Sequence, residues 1–484
     1  MRTANVWRTV LALSMFTVTL GCTIGPDYAR PKLTPPDRFR GQVSPSEAIS
    51  FADLPWWEAF GDPVLQSLIK AALAGNYDMR IAAARVEQAR QQTVIARAAY
   101  FPSVGYQVSA QRSKGIEAFL GIQNDRFPDN ASNLFLGALS ASWEIDLWGG
   151  IRRSNEAARA HLLETEEGQR GVLLSLVSDV AQAYFELIEL DAQRQIAQSV
   201  TTAYAGIYKI FSDRLEFGVV SELQTSRAQG SLSASAAAIA QLTAQIAAKE
   251  NQINTLRGLN PGPVSRGTPL SAQIVPPAVP AGLPSALLER RPDLRKLEAQ
   301  LVAANAEVGV AKADFLPKLS LTGALGKANP EISAITSGAA TVWSVAAGLT
   351  GPIFQAGRIL ANYRASLAMS NQAQFAYEQG VIKAFQEVSS SLVALDQLAT
   401  AEDELSQSAT ALAKSVDLAL VRYLYGFSSY IEVLDAQERL YSAQKAQATA
   451  RLDRLRAYVQ LYKALGGGWN LSDATLLSGM PASK

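Results

Sequence analysis

The chain gives covalent chemistry few places to occur: it has one cysteine, Cys22, and one histidine, His161. Acid–base and metal chemistry most often recruits histidine, and His161 has no second histidine or cysteine nearby with which to build a site. It reads as a structural helix residue. No serine-centred nucleophile arrangement and no paired-carboxylate motif is visible, so an exported hydrolase would lack its machinery, and neither cofactor nor metal is expected. Cys22 is different. It ends "MRTANVWRTVLALSMFTVTLGC", in which Arg2 and Arg8 precede an apolar stretch from Val10 to Leu20, the plan of a secretory signal. A lone cysteine after Gly21, with nothing to pair with, reads as a lipid acceptor rather than half of a disulfide. Three residues before it stands Thr19, where bacterial lipoboxes usually carry leucine.

The remaining chemistry is noncovalent and sits beside two glycines. "RLEFGVVSELQTSRAQGSL" (214–232) and "RYLYGFSSYIEVLDAQERL" (422–440) share Arg214/Arg422, Gly218/Gly426, Ser221/Ser429, Ala228/Ala436, Gln229/Gln437 and Leu232/Leu440, at an offset of 208. An aromatic residue precedes each glycine, Phe217 and Tyr425. Glycine supplies the left-handed conformation that closes a helix, and the serine that follows can cap the next one, so both copies are predicted to be helical-hairpin tips. A second echo extends the duplication. Residues 77–108 align without a gap on 292–323 at an offset of 215, with Asp78/Asp293, Arg80/Arg295, Ala89/Ala304 and Pro102/Pro317 identical. The chain has two structural halves.

In the segments that carry the tips, proline is absent between Asp129 and Asn260 and again between Ile353 and Met480. Proline is excluded from helix interiors, so these are long-helix zones. The runs from Gly150 to Gly218 and from Gly357 to Gly426 approach 70 residues, about 100 Å of helix at 1.5 Å per residue. Leu176, Val180, Tyr184 and Leu187, then Val200, Tyr204, Ile207 and Phe211, recur in steps of three and four, a coiled-coil seam. Return helices are predicted from Ser221 to about Arg257 and from Ser429 to about Leu465.

Each half also holds two stretches of period two. "SVGYQVSAQ" (103–111) puts Val104, Tyr106, Val108 and Ala110 on one face against Ser103, Gln107, Ser109 and Gln111 on the other. "LFLGALSASWEIDLW" (134–148), "KLSLTGALGK" (318–327) and "TVWSVAAGLTG" (341–351) alternate in the same way. Strands of about ten residues with one apolar and one polar face have the length that spans an outer membrane, with Tyr106, Trp143, Trp148 and Trp343 available for interface belts. Four strands cannot close a barrel, and open edges are not tolerated in lipid, so a membrane barrel must be built from several chains. After the signal, no run of apolar residues reaches the ~20 needed for a spanning helix.

With 484 residues, 48% hydrophobic and 18% charged, the chain can bury large cores, and length alone suggests about three domains. Its net charge of +1 leaves no electrostatic footprint for nucleic acid. The predicted organisation is a signal peptide at 1–21 and an anchored N-terminal segment at 22–63. A first repeat follows at 64–258, with strands at about 103–112 and 134–147 and its tip near 218. A proline-rich linker at 259–291 leads to a second repeat at 292–465, with strands at about 317–327 and 341–351 and its tip near 426, and a tail at 466–484. The segments 22–63, 259–291 and 466–484 read as an equatorial collar. Arg291, Pro292 and Asp293 read as a helix start, and Trp56 and Trp57 as packing anchors.

"CTIGPDYARP" (22–31), "WWEAFGDPVLQSLI" (56–69), "LLERRPDLRKLEAQLVAANAEVGVAKADFLPKLSLTG" (287–323), "RYLYGFSSYIEVLDAQERL" and "LYKALGGGW" (461–469) together resemble the outer-membrane factors, the TolC-type exit ducts, and within them the lipoprotein branch of multidrug-efflux channels. The resemblance implies a homotrimer in which the four strands of each chain contribute to a twelve-stranded barrel, continued by a periplasmic α-helical barrel. It implies partners as well: a periplasmic adaptor (membrane fusion) protein, an inner-membrane efflux pump of the RND type, and outer-membrane lipid anchored through Cys22. The fold class is thus mostly α with a membrane β-barrel part.

The resemblance makes the tips the place where such a duct closes and docks. Charged or apolar rings are the usual gate of a pore, which nominates Asp417, Leu420 and Arg422 with Asp213 and Arg214 opposite. The expectation is that Asp417 faces the lumen and that Arg422 or Arg214 ties adjacent helices; the alternative is that these are ordinary solvated helix charges. Phe217, Gly218, Val219, Tyr425, Gly426 and Phe427 form tips suited to contact with an adaptor, against the alternative of plain turn chemistry. The competing function is a lipid-anchored periplasmic coiled-coil scaffold without channel activity, which predicts no amphipathic strands of spanning length.

Overall fold

The computed structural model describes residues 23–42, 60–114, 131–275, 284–335 and 341–467. Cys22, Trp56 and Trp57, the signal segment and most of the tail lie outside the described residues. The chain runs α1 (Pro63–Gly75), α2 (Tyr77–Ala98), β1 (Ser103–Lys114), β2 (Ala131–Ile145), α3 (Gly150–Glu216), α4 (Glu222–Leu256), one turn of helix at Leu287–Arg290, α5 (Pro292–Ala313), β3 (Lys318–Asn329), β4 (Thr341–Thr350), α6 (Arg358–Leu424) and α7 (Tyr430–Ala464). The duplication is visible in lengths: α2 and α5 both have 22 residues, α3 and α6 both 67, α4 and α7 both 35. The offset falls from 215 at the start of β1/β3 (318 − 103) to 208 at the start of α3/α6 (358 − 150), so the second strand hairpin is 7 residues shorter.

The sequence halves are not the compact units. Two units form, each drawing on both repeats. The first holds residues up to 31 with 86–165 and 297–377, and the second holds 32–85, 166–296 and 378 onward. The reason is pairing across the repeat: β2 bonds to β3 as well as to β1, so neither half has a sheet of its own.

In the first unit the sheet order is β1-β2-β3-β4, antiparallel throughout. The segment after Cys22 is strapped beside it. Ile24 N donates to Trp148 O at 3.0 Å, and the buried Arg153 guanidinium bonds Asp27 at 2.6 Å and Glu156 at 2.8 Å. Gly25, at φ +115°, lies so close to Gly309 that an added Cβ would meet its Cα at 2.6 Å.

In the second unit α3 is the core element. Val180, Ala181, Tyr184, Phe185 and Leu187 are buried on several sides of the helix, packed with Phe60, Leu65 and Ile69 and with Leu455, Tyr458 and Val459 of α7. This explains why α3 contains an 18-residue stretch of mean hydropathy 1.4, apolar enough by composition for a membrane span: it is 61% buried within the protein, as a core helix must be. Asp62 organises the entry to this core. Its carboxylate caps α1 through Val64 N at 2.9 Å and Leu65 N at 3.2 Å. It also accepts from Tyr184 Oη at 2.7 Å, Gln273 Nε2 at 2.8 Å and Thr268 N at 3.2 Å.

Candidate functional site

Two features of the fold need an environment other than water. The first is the sheet. The registers align Val104, Tyr106 and Ala110 of β1 with Ala141, Leu139 and Phe135 of β2, and carry the row on through Gly323 and Leu325 of β3 to Val345 and Trp343 of β4. Through these rows one face is apolar across all four strands, its charges Arg112, Lys114 and Lys327 falling at the end of the sheet away from α3 and α5, and it is bare: Tyr106 is 82% exposed, Trp343 74% and Val345 79%. The other face carries Ser103, Gln107, Ser140, Ser142, Thr322 and Ser344. A contiguous apolar face of this kind marks contact with a membrane or a partner. β1 and β4 pair on one side only, leaving two open ladder edges, and at 10 to 15 residues the strands are long enough to span an outer membrane.

Trp148 departs from the sequence expectation. It lies past the end of β2, half-buried, with its indole N–H donating to Pro317 O at 2.7 Å, so it ties the turn before α3 instead of standing on the apolar face. Trp143 stays on that face while its Nε1 reaches Tyr100 O at 3.1 Å.

The second feature is the pair of tips. Gly218 and Gly426 have φ of +71° and +79°. Each closes its helix by the same paired bonds: Gly218 N to Leu215 O and Val219 N to Arg214 O, and Gly426 N to Tyr423 O and Phe427 N to Arg422 O. Ser221 and Ser429 occupy the next N-cap positions in extended conformation, and Gln224 Oε1 accepts from Ser221 N at 3.3 Å. Phe217, Val219, Tyr425 and Phe427 are all strongly exposed, an apolar cap over each turn. Asp213, Arg214, Asp417 and Arg422 are exposed, and Leu420 is 40% exposed. Asp417 and Leu420, three residues apart, share one helix face. Arg422 lies 3.7 Å from Glu432 on the far side of its own turn.

What sequence reasoning missed at the tips is the group that joins them. Phe211 of α3 packs edge-on against Tyr430 of α7, with Tyr423 of α6 beside both and Val433 beneath. Phe211 was legible as a seam residue, but the seam pattern does not say which helix answers it. Asp62 was also missed, although an aspartate directly before Pro63 is a helix-start signal. Arg291 does start a helix, as its sequence suggests, and does more: buried, it bonds Asp293 and Glu387 and donates to Ala464 O at 3.0 Å. Its repeat equivalent, Asn76, donates to Leu256 O at 2.9 Å. His161 faces Glu164 and Glu307 on the surface.

A two-faced sheet with open edges, joined to helical hairpins of this length, defines the class of outer-membrane ducts. The family model described as outer membrane efflux protein matches residues 68–259 and 283–467, and the chain belongs to that family. The solvent efflux pump outer membrane protein SrpC of Pseudomonas putida is 34% identical over 475 residues, covering 95% of this chain and 99% of the relative. The cation efflux system protein CusC of Escherichia coli O6:H1 is 32% identical over 458 residues, covering 93% and 96%. The solved structure of the outer-membrane channel OprN superposes with a TM-score of 0.84 at 33% identity, over 93% of this chain and 100% of that one. The protein is an outer-membrane exit channel for efflux.

Proposed function

We propose that three copies of the chain join their sheets, three times four strands making twelve, into one barrel in the outer membrane, with the long helices forming an α-helical barrel into the periplasm. The observation that carries this reading is the sheet: an apolar face that needs lipid and two open edges that need partners. The chain takes cargo from an inner-membrane pump of the RND type through a periplasmic adaptor protein and conducts it passively. Cargo is drugs or other small toxic compounds, a reading supported by relatives named for the efflux of solvents, toluene and cations. Cys22 carries the lipid anchor, supported by the strap of Ile24 and Asp27 that fixes the chain just after it and by a relative named as a probable outer membrane lipoprotein. Cys22→Ser is expected to abolish incorporation of radiolabelled palmitate.

At the tips, Asp417, Leu420 and Arg422, with Asp213 and Arg214, form the resting gate, and Phe217, Gly218, Val219, Tyr425, Gly426 and Phe427 receive the adaptor. The competing scaffold reading predicts no amphipathic strands, and four are present. The deciding experiment is planar-bilayer conductance of the purified mature protein beside Asp417→Ala, with native mass on the same sample. A trimer with small currents that rise in the variant is the expected result. A monomer that passes no current in either form overturns the reading.

A further inference from the structure

The polar face of the sheet is almost free of charge. On β1 it presents Ser103, Gly105, Gln107, Ser109 and Gln111, and on β4 Val342, Ser344, Ala346, Gly348 and Thr350, with hydroxyl, small and apolar side chains between them on β2 and β3. Within the four strands only two charged residues fall on this face, Glu144 near the end of β2 and Lys318 at the start of β3. The registers set Glu144 opposite Ser320 and Lys318 opposite Thr350, so both stand at the end of the sheet nearest α3 and α5. Lys318 Nζ lies 3.5 Å from Glu144 Oε1, with both side chains about half exposed. A pair that wet is worth at most about 1 kcal/mol, so neither charge is locked away by the other.

These two residues line one cavity of about 540 Å³, which also takes in Asp146 and Asp314. Asp146 is already committed: it caps α3 through Ile151 N and Arg152 N and pairs with the Arg152 guanidinium at 3.1 Å. Asp314, just past the end of α5, has no cation partner among the described residues. Glu144 and Asp314 against Lys318 leave one net negative charge per copy, beside a sheet face whose other residues within the four strands are uncharged. A fixed charge on the polar wall of a water-filled path raises the local concentration of the opposite ion and sets which sign passes more easily.

We propose that this end of the polar face, with Glu144, Asp314 and Lys318, is the charge filter of the duct, favouring cationic over anionic solutes. The proposal rests on the reading that the polar face lines the lumen. It is tested by reversal potentials in a KCl gradient across planar bilayers, using the mature protein in the Asp417→Ala background so that the tip does not contribute that charge. Lys318→Gln is expected to shift the potential toward that of a potassium electrode. Glu144→Gln with Asp314→Asn is expected to shift it toward chloride, the K⁺/Cl⁻ permeability ratio changing about threefold or more in each case. The exchange Glu144→Lys with Lys318→Glu, which restores the sum of charge, is expected to keep the parent potential, which a disturbed fold would not. Unchanged reversal potentials in currents of normal size overturn the filter and leave the channel standing. A parent that forms trimers yet carries no current removes the lumen reading, and the filter with it.

Discussion

The ring of Phe211 stands edge-on to the ring of Tyr430, with centroids 4.4 Å apart and planes at 84°. The contact joins the tip of the first repeat to the tip of the second within one chain, and both rings are buried. Edge-to-face aromatic pairs contribute about 0.5–1.5 kcal/mol beyond the area they bury. The two hairpins are therefore one mechanical element. Phe211→Ala is expected to cost about 3 kcal/mol or more locally, to speed tryptic cleavage at Arg214 and Arg422, and to raise resting conductance. Cleavage and conductance at wild-type levels would show that the tips are held by something else.

The Asp62 carboxylate predicts an acid limb of stability. Burial by itself would raise its pKa, but hydrogen bonds from Gln273, Tyr184, Leu65 N and Thr268 N outweigh burial and hold it below the ordinary 3.8. A carboxylate depressed in the folded state stabilises the protein above its unfolded pKa, and this contribution is lost as pH falls through the folded value. On this account stability is level from neutral pH down to about 5 and declines below about 4. Asp62→Ala leaves the buried Tyr184 hydroxyl hydrogen without its acceptor, removes one of the two bonds of Gln273 Nε2 and uncaps α1, and is expected to cost about 3 kcal/mol at neutral pH, read as the thermal midpoint in detergent.

Glycine substitutions should separate turn strain from close packing. An added Cβ at Gly426 meets nothing within 4 Å, so Gly426→Ala costs only the left-handed backbone, about 1 kcal/mol. At Gly75 the same atom would sit 2.2 Å from Arg257 O, where α1 and α4 end backbone against backbone. Gly75→Ala is expected to lower the thermal midpoint by clearly more than Gly426→Ala. Equal shifts would contradict the close approach.

The Arg422–Glu432 pair, at 3.7 Å and roughly half exposed at both ends, should contribute less than about 1 kcal/mol to stability. Glu432→Ala is expected to leave the thermal midpoint within about 1 °C while freeing Arg422 for a neighbouring helix. If Arg422 ties adjacent helices in the resting trimer, conductance in Glu432→Ala stays at or below wild type. A marked rise would assign the closing contact to the Arg422–Glu432 pair itself.

Much of this architecture is written locally. Period two in 103–111 and 341–351, proline excluded from two long runs, and glycines followed by serine at both tips are each enforced by a few neighbouring residues, because strand alternation, helix continuity and left-handed closure are properties of the backbone. The chain alone therefore determined the duplication, the strands with their two faces, and where each long helix turns. Partner choice was decided only by the tertiary structure. Asp62 meets Tyr184, Thr268 and Gln273 across as many as 211 residues of sequence, Arg291 reaches Ala464 O across 173, and β2 takes β3 from the other repeat. The physical reason is that a buried charge or a strand edge is satisfied by whichever group packing brings within 3 Å, and neither periodicity nor spacing along the chain encodes that meeting.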